Sequence, residues 1–353
     1  LGLLLGSAGC TSGSADIGRG DRPVPPIVGD DGSDEGELVF RIADFGFVDP
    51  TVPIAGRNLD GFTTGAPPHA VGQCTPPDGS VPPFDGEDGL DNSFGSFLAP
   101  VIDLVVPCAQ SALEREHAAG RGTLLLHITG WNGEANDSVV TASLVVAADG
   151  TSSEKSDVEW NATTHELVLV SDGTTPASDP TGASDDTYVA RPDSFDAAGT
   201  TPQVIDTDAY IADGTLVFAL PERARIPLNA GGASLLLELT DGLLLADLAS
   251  DFSSISSGTL SGRYSVAAFL DAAPGIGVCA SELAAVENQV ETLADVLSDP
   301  TAEGGPDEAC NALSVGFPFT GAPATLATNG GSPELAGTNP PLVIACDTGL
   351  GCQ

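Results

Sequence analysis

The sequence contains no methionine, and Lys155 is the only lysine among its 353 residues. Because translation starts at methionine, we expect this chain to begin inside a longer precursor. Lysine and arginine together number 11 against 50 acidic residues, and the net charge is −39 at pH 7. A surface this negative repels the phosphates of nucleic acids and of anionic lipids, so we expect no nucleic-acid partner. It attracts divalent cations, and it keeps an exported protein soluble.

Catalytic signatures are also missing. The four histidines do not form the HExxH pattern of zinc hydrolases, and the sequence has no Gly-x-Ser-x-Gly elbow, P-loop or dinucleotide-binding motif. With 50 acidic residues, carboxylate pairs occur along the whole chain, so an acid/base pair of the glycosidase type cannot be located. The sequence therefore does not define an active site.

The first ten residues, LGLLLGSAGC, have an apolar run, then small residues, then a cysteine, as at the end of a signal peptide. The apolar run is too short to span a bilayer, which takes about 20 residues. The pattern resembles the bacterial lipobox, in which Cys10 would be acylated and anchor the protein in a membrane. Because Thr11 rather than an aspartate follows, this resemblance implies the outer membrane. The alternative is an ordinary secretory signal beside a free cysteine.

Six further cysteines remain, and an even number in an exported protein indicates disulfides. None of them has the CxxC spacing of zinc sites and thioredoxin-like motifs. Many pairings are possible, and pairing in sequence order is the simplest guess because it closes local loops. It would join Cys74 to Cys108, Cys279 to Cys310 and Cys346 to Cys352.

The middle of the chain, residues 121–271, is rich in leucine and β-branched residues that alternate with polar ones. Two Asp-Gly pairs, which begin at Asp213 and Asp241, lie between alternating runs and predict tight hairpins. In the first hairpin Ile211 would face Leu216. Half-buried antiparallel strands in succession predict a mainly β fold, an antiparallel β-sandwich of the jelly-roll type.

Two segments have helical spacing. One follows Asn92, a residue typical of helix caps, and covers about 93–119 with interrupting prolines. The other is Val278–Leu297, which ends before Pro300. A last strand is expected over Gly258–Leu270, and the polar insertion over 171–202 is expected to be a loop.

These elements predict four parts of the chain. Residues 1–10 are the remnant of the signal peptide. Residues 11–37, rich in Gly, Ser, Pro and Asp, cannot offset the entropy of ordering and should form a flexible acidic tether. Residues 38–271 form the sandwich with its helical insertion, and residues 272–353 form a small helical, disulfide-linked C-terminal appendage.

An acidic cluster lies directly before the helical insertion. Closely spaced carboxylates and glycines can supply the about six to eight oxygen ligands that Ca²⁺ prefers, although the spacing is not that of an EF-hand. The alternative is a solvated acidic turn in which Asn92 caps the next helix. The candidate calcium ligands are Asp85, Glu87, Asp88, Asp91 and Asn92.

Trp131 and Trp160 are the only tryptophans. Their flat faces can stack on a sugar ring, which makes them candidates for carbohydrate binding. The alternative is that each anchors the core with its indole N–H bonded to a protein acceptor.

Several phrases of the sequence, taken together, resemble a group of uncharacterised lipoproteins from myxobacteria and related deltaproteobacteria. The resemblance covers about residues 38–320, in addition to the lipobox, and it implies an exported, lipid-anchored protein without implying any chemistry. The phrases are Asp85–Asn92 (DGEDGLDN), Leu124–Asn136 (LLLHITGWNGEAN) with Asp137, Trp160, Asp208–Ile211 (DAYI), Gly214–Val217 (GTLV) and Cys310–Gly316 (CNALSVG).

We therefore expect a lipid-anchored protein of the outer membrane that serves as a binding or structural module for carbohydrate or another envelope component. The alternative is a secreted polysaccharide hydrolase with paired carboxylates. A binding module should present a shallow aromatic groove, whereas a hydrolase needs a deep cleft with two carboxylates about 5–10 Å apart.

Overall fold

The computed structural model describes residues 22–27, 32–43, 45, 55–65, 72–77, 79–80, 83–86, 89–98, 123–147, 158–161, 166–169, 187–230, 233–276, 278, 280–305, 307–329, 332–333 and 335. Several predicted positions lie outside the described residues. They are Cys10, Glu87, Asp88, Cys108, Cys279, Cys346 and Cys352.

Strands dominate the described part of the chain. They are β1 (Gly36–Ala43), β2 (Leu124–Trp131), β3 (Asp137–Val146), β4 (Val158–Asn161), β5 (Glu166–Leu169), β6 (Thr187–Tyr188), β7 (Val204–Ala212), β8 (Thr215–Ala219), β9 (Ala224–Ala230), β10 (Ala233–Leu248), β11 (Ile255–Ser265), β12 (Ala312–Pro323), β13 (Thr325–Leu326), β14 (Thr328–Asn329) and β15 (Ser332–Pro333). The helical elements are a π-helical turn (Phe94–Leu98), 3₁₀ turns (Pro192–Ser194 and Ala273–Ile276), α1 (Val266–Ala272) and α2 (Leu283–Leu293).

Eight strands form one closed antiparallel barrel. Around the barrel the order is β1, β2, β3, β7, β8, β10, β11 and β12, and β12 pairs again with β1. β9 pairs with the first half of β10, which β8 does not reach. The prediction of an open sandwich is therefore wrong. Alternating apolar and polar residues occur in both architectures, and closure depends on the pairing of β10 with β11 and of β12 with β1, which alternation does not reveal.

The inward-facing side chains fill the barrel. In β2, for example, Leu124, Leu126 and Ile128 are fully buried in the main core. His127 alternates with them, faces outward, and places its Nε2 2.8 Å from Oε1 of Glu37. The described residues therefore fill the barrel interior as a packed core.

Aromatic rings close the core at the end where β11 ends. Phe94 of the π-helical turn lies 5.4 Å from Phe317 and 6.4 Å from Tyr264, measured between ring centroids. Phe269 of α1 packs edge-on against Tyr264 at 5.8 Å. Because α1 follows β11 directly, the helix stays next to the inward-facing residues at the end of the strand.

The predicted hairpin at Asp213 is confirmed. Ile211 of β7 lies opposite Leu216 of β8, as expected. Asp213 has φ 50° and Gly214 has φ 86°. Two consecutive left-handed residues are what the tight turn between twisted antiparallel strands requires, and Asp-Gly supplies them at low cost.

The predicted hairpin at Asp241 is wrong, because β10 continues through it. Asp241 and Gly242 together lie opposite the single residue Gly262 of β11, and Asp241 has φ 50°. This arrangement is a β-bulge. The extra residue changes the alternation of the strand, so that Leu239 before the bulge and Leu244 after it both point into the core.

The predicted C-terminal appendage is also wrong, since β12 is a strand of the barrel between β11 and β1. The expected strand over 258–270 ends at Ser265, whose Oγ accepts a hydrogen bond from the backbone N–H of Ala268 and caps α1. The helix expected within 278–297 is present as α2. In the described part of the chain, no helix has both the length and the apolar composition that a membrane span requires.

The described disulfide joins Cys74 to Cys310, with 5.1 Å between the Cα atoms. The predicted pairs Cys74 with Cys108 and Cys279 with Cys310 are therefore wrong. The two segments meet as strands do, since the N–H of Cys310 donates to the carbonyl of Thr75. The prediction that cysteines pair with their neighbours in sequence was wrong because β12 brings residues far apart in sequence back to the same face of the barrel.

The second half of the polar insertion is ordered. Tyr188 and Phe195 are buried in a small cluster with Leu125 and Val145 on the outer face of β2 and β3. The pairing of β6 with β13 fixes this segment beside the C-terminal strands.

Candidate functional site

Polar side chains accumulate between the outer face of β11 and β12 and the segments that cover it, 55–65, 72–77, 83–86, 89–98 and 294–298. These segments, which we call the cover, lie very close to the barrel. A Cβ on Gly316 of β12 would lie 2.1 Å from the carbonyl oxygen of Ala55, so only glycine fits there. We call this set the polar layer. It consists of Arg57, Asp60, Gln73, Asp85, Asp91, Asn92, Ser93, Arg263, Asp295 and Ser314.

Asn92 joins the cover to the barrel. Its Oδ1 accepts hydrogen bonds from the N–H groups of Gly95 (2.8 Å) and Gly316 (3.1 Å). Its Nδ2 donates to the carbonyls of Ala55 (2.6 Å) and Gly316 (2.9 Å). The side-chain amide thus caps the π-helical turn, as one of the two sequence interpretations expected, and it pairs with β12 in the manner of a neighbouring strand.

Asp91 and Asp85 hold the segment 55–65 in place. Oδ2 of Asp91 accepts from the N–H groups of Leu59 (2.6 Å) and Asp60 (3.3 Å). Oδ2 of Asp85 accepts from the N–H of Thr64. Burial raises the pKa of Asp91 well above its usual range, helped by the charge of nearby aspartates, and burial raises the pKa of Asp85 to about 6.

Asp295 follows α2 and is buried under the cover. Its Oδ1 accepts from the hydroxyl of Ser93 (2.9 Å) and the N–H of Ser314 (2.8 Å), and its Oδ2 accepts from the hydroxyl of Ser314 (2.5 Å). Burial raises the pKa of Asp295 to about 6 in spite of these bonds. The aspartate therefore ties the end of α2 to β12.

Arg263 is the more deeply buried of the two arginines of the polar layer, with a side chain only 2% exposed. Its Nη1 donates to Oε1 of Gln73 (2.9 Å) and to the carbonyl of Leu297 (2.7 Å), and its Nη2 donates to the carbonyl of Leu59. Its Nε lies 3.6 Å from Oδ2 of Asp241. Arg263 thus connects β11 to three separate covering segments.

The calcium prediction gains no support from the described residues. Asp85, Asp91 and Asn92 lie near one another, but their oxygens already accept backbone hydrogen bonds. Within the described ranges, no group of three His, Cys, Asp or Glu side chains is arranged to hold a metal ion. The calcium site stays a prediction from sequence.

A cleft of about 750 Å³ lies beside the polar layer, at the bulge of β10. Its walls are the turn between β8 and β9 (residues 219–223), the bulge itself, Ser265 at the end of β11, residues 298–301, and the side chains of Arg22 and Arg57. The bulge shapes the cleft because it turns the backbone of β10 between the halves that pair with β9 and β8.

The cleft is lined by charges of both signs and by hydroxyl groups. The charged residues are Arg22, Arg57, Arg223, Glu222, Glu238, Asp241 and Asp299, and the hydroxyl residues are Thr240, Ser265, Ser298 and Thr301. No protein-family model, curated protein or solved structure matches the chain. The resemblance to the myxobacterial lipoproteins therefore stays an expectation.

Most charges of the cleft form pairs. Nη2 of Arg57 lies 2.9 Å from Oδ2 of Asp241 and also donates to the carbonyl of Asp241. Nη2 of Arg223 donates to Oε1 of Glu238, and Nε of Arg225, outside the cleft, lies 3.7 Å from the other oxygen of the same carboxylate. The walls thus present guanidinium donors and carboxylate acceptors side by side.

Trp131 does not line the cleft. Trp131 packs on Phe252 with 4.6 Å between ring centroids, and its Nε1 donates to the carbonyl of Glu134 (2.9 Å). These contacts correspond to the anchoring role rather than to an open sugar platform. Trp160 lies in β4, opposite Leu167 of β5.

Sequence reasoning did not find the cleft, whose walls come from six separate parts of the chain. One signal was available: the sequence has only 11 basic residues. Among the arginines that the structure describes, three line the cleft and two more, Arg225 and Arg263, approach its carboxylates. In a chain this acidic, clustering of arginines around carboxylates marks a specific site.

Proposed function

We propose that this protein is an exported, lipid-anchored module of the cell envelope and that its cleft binds a polar, hydroxyl-rich ligand, such as an envelope carbohydrate. The proposed export and lipid anchoring rest on the lipobox pattern around Cys10. The binding role rests on one observation, a cleft of about 750 Å³ whose walls carry paired guanidinium and carboxylate groups. This volume is in the range of small-molecule sites.

The chemistry of the walls suits a sugar. A hydroxyl group donates one hydrogen bond and accepts others, so it is best met by a donor and an acceptor next to each other. The pairs Arg57–Asp241 and Arg223–Glu238 offer that combination. Hydrogen bonds to charged groups are stronger than those between neutral groups, and the ligand needs no net charge to form them.

Binding fits the cleft better than hydrolysis does. A glycosidase needs a general acid with a raised pKa next to a second carboxylate. Among the described residues, the carboxyls with raised pKa are Asp85, Asp91 and Asp295, and all three lie in the polar layer rather than in the cleft. In the cleft, hydrogen bonds from the hydroxyl and N–H of Thr301 lower the pKa of Asp299.

The test is binding of the full chain, with Cys10→Ser to keep it unacylated, to an array of bacterial envelope glycans, followed by titration calorimetry on the best ligand. The chain with Cys10 in place, acylated by the host, should partition into detergent, and the Cys10→Ser chain should stay in the aqueous phase. Arg223→Gln removes one donor from the cleft and should weaken binding by tenfold or more. Because the Arg223 side chain is 69% exposed, the change should not unfold the protein.

Arg225→Gln is the matched control. Arg225 is 59% exposed and approaches the same Glu238, but it does not line the cleft. It should leave the affinity within about twofold. Absence of any glycan ligand, or equal affinity of the Arg223 variant and the unchanged protein, would show that the cleft is not the binding site. Release of reducing sugar from a bound glycan would favour the hydrolase.

A further inference from the structure

The segment 22–27, which we call the strap, contacts the outward face of β7 through its first two residues, although composition predicts a flexible tether there. The guanidinium carbon of Arg22 is 5.5 Å from the centroid of the Tyr210 ring, and Nε of Arg22 donates to the Tyr210 hydroxyl (3.1 Å). The hydroxyl in turn donates to the carbonyl of Pro23. One tyrosine thus holds two consecutive residues of the strap.

The strap is attached through polar contacts rather than by burial of its apolar side chains. Val24 is 82% exposed and Ile27 is fully exposed, whereas Tyr210 is only 2% exposed even though it points out of the barrel. A cation over an aromatic ring and hydrogen bonds at its hydroxyl contribute roughly 1–2 kcal/mol each. Attachment of this strength is reversible, so the strap can exchange between a docked and a released state.

Arg22 also lines the cleft. A guanidinium has five N–H donors, of which the one on Nε is used by Tyr210. We propose that the strap supplies Arg22 as a further binding residue of the cleft, and that a ligand which accepts from its terminal nitrogens locks the strap in the docked state. This inference deepens the proposed function and rests on it for the ligand.

Coupling between two binding events is reciprocal, so a ligand that stabilises the docked strap must bind more tightly when the strap is docked. Tyr210→Phe separates the two events, because Tyr210 does not line the cleft and the change removes only its hydroxyl. Release of the strap by this variant should weaken ligand binding by about fivefold or more, as Arg22→Gln should do directly.

The strap can be tested without ligand on the full chain by nitration of tyrosines with tetranitromethane, measured by peptide mass. The three tyrosines include two internal controls, Tyr188 and Tyr264, which are buried away from the strap. Arg22→Gln should raise the nitration rate of Tyr210 fivefold or more and leave the other two unchanged. Arg225→Gln, an exposed arginine outside the cleft, should change none of the rates.

The results separate the two proposals. Unchanged nitration of Tyr210 in the Arg22 variant would overturn the docked strap. Faster nitration together with unchanged glycan affinity in both the Arg22→Gln and Tyr210→Phe variants would overturn the role of Arg22 in binding. If the unchanged protein binds no glycan, the proposed function and the ligand role of Arg22 fail together, while the nitration result still decides whether the strap docks.

Discussion

Replacement of Arg263 by methionine should destabilise the protein strongly. Methionine has a similar length and fits an apolar space, but it removes three donated hydrogen bonds, to Gln73, Leu297 and Leu59. Oε1 of Gln73 keeps the N–H of Leu297 as a donor at 3.2 Å. The carbonyls of Leu59 and Leu297 lose their arginine donor under the cover, at about 1–3 kcal/mol for a buried acceptor left without a partner.

The charge adds to this cost. Oδ2 of Asp241 lies 3.6 Å from Nε of Arg263, and the positive charge of Arg263 also attracts the carboxylates of Asp60 and Asp91. Because Asp241 is 33% exposed and keeps Arg57 at 2.9 Å, the cost of losing this charge stays below the about 3–5 kcal/mol that is typical of a fully buried ion pair. Since the hydrogen-bond and charge effects overlap, we expect a total loss of about 3–5 kcal/mol, or roughly 4–8 °C in Tm for a protein of this size.

Urea unfolding at pH 7, followed by circular dichroism, measures this loss. Arg225→Met is the matched control, because Arg225 is exposed and its contact with Glu238 is worth less than about 1 kcal/mol. A loss below about 1 kcal/mol in the Arg263 variant would refute the reasoning. It would mean that the cost of burying the guanidinium cancels its bonds, as happens when some buried ion pairs are replaced by apolar residues.

Two further predictions concern the segments that cover the barrel. The Cys74–Cys310 disulfide has a sequence separation of 236 residues, so the double variant Cys74→Ala/Cys310→Ala should lose about 3–5 kcal/mol of unfolding free energy in urea. A reductant should lower the stability of the unchanged protein by at least that much and that of the variant by less. A loss near zero in the variant would contradict the prediction. The pKa of Asp295 is raised from 3.8 to about 6, so its contribution to stability is present below about pH 4 and disappears as the pH rises through about 6, by about 3 kcal/mol. In urea unfolding measured from pH 4 to pH 7, Asp295→Asn should remove this part of the decline in unfolding free energy. Asp208→Asn, at an exposed position of β7, should keep it. Parallel curves of unfolding free energy against pH for the two variants would contradict the assignment.

Local features of the fold could be predicted from the sequence, and long-range features could not. Alternation and an Asp-Gly pair predicted the hairpin at Asp213 with the correct register. The same signals at Asp241 belong to a bulge, because a left-handed Asp-Gly pair serves both structures and only the partner strand decides between them. Closure of the barrel was not predictable, since β1 and β12 meet from opposite parts of the chain.

The candidate site shows the same division. The acidic cluster around Asp91 was recognised, and the capping role of Asn92 was one of the two interpretations considered. The Asp91 carboxylate binds backbone N–H groups of a segment about 30 residues earlier in the chain, a contact that local spacing does not indicate, and the calcium site stays a prediction. The cleft could not be found by periodicity, because the bulge, two turns and the strap that form it share no local pattern.

The place of β12 between β11 and β1 has a consequence for the order of events during synthesis. β1 ends at Ala43, and the strand that must pair with its free edge begins at Ala312, about 270 residues later. At typical translation rates of about 5–20 residues per second, the N-terminal strand waits roughly 15–55 s for its partner. The barrel therefore cannot close before β12 has been synthesised, and until then the unpaired edge of β1 is available to chaperones.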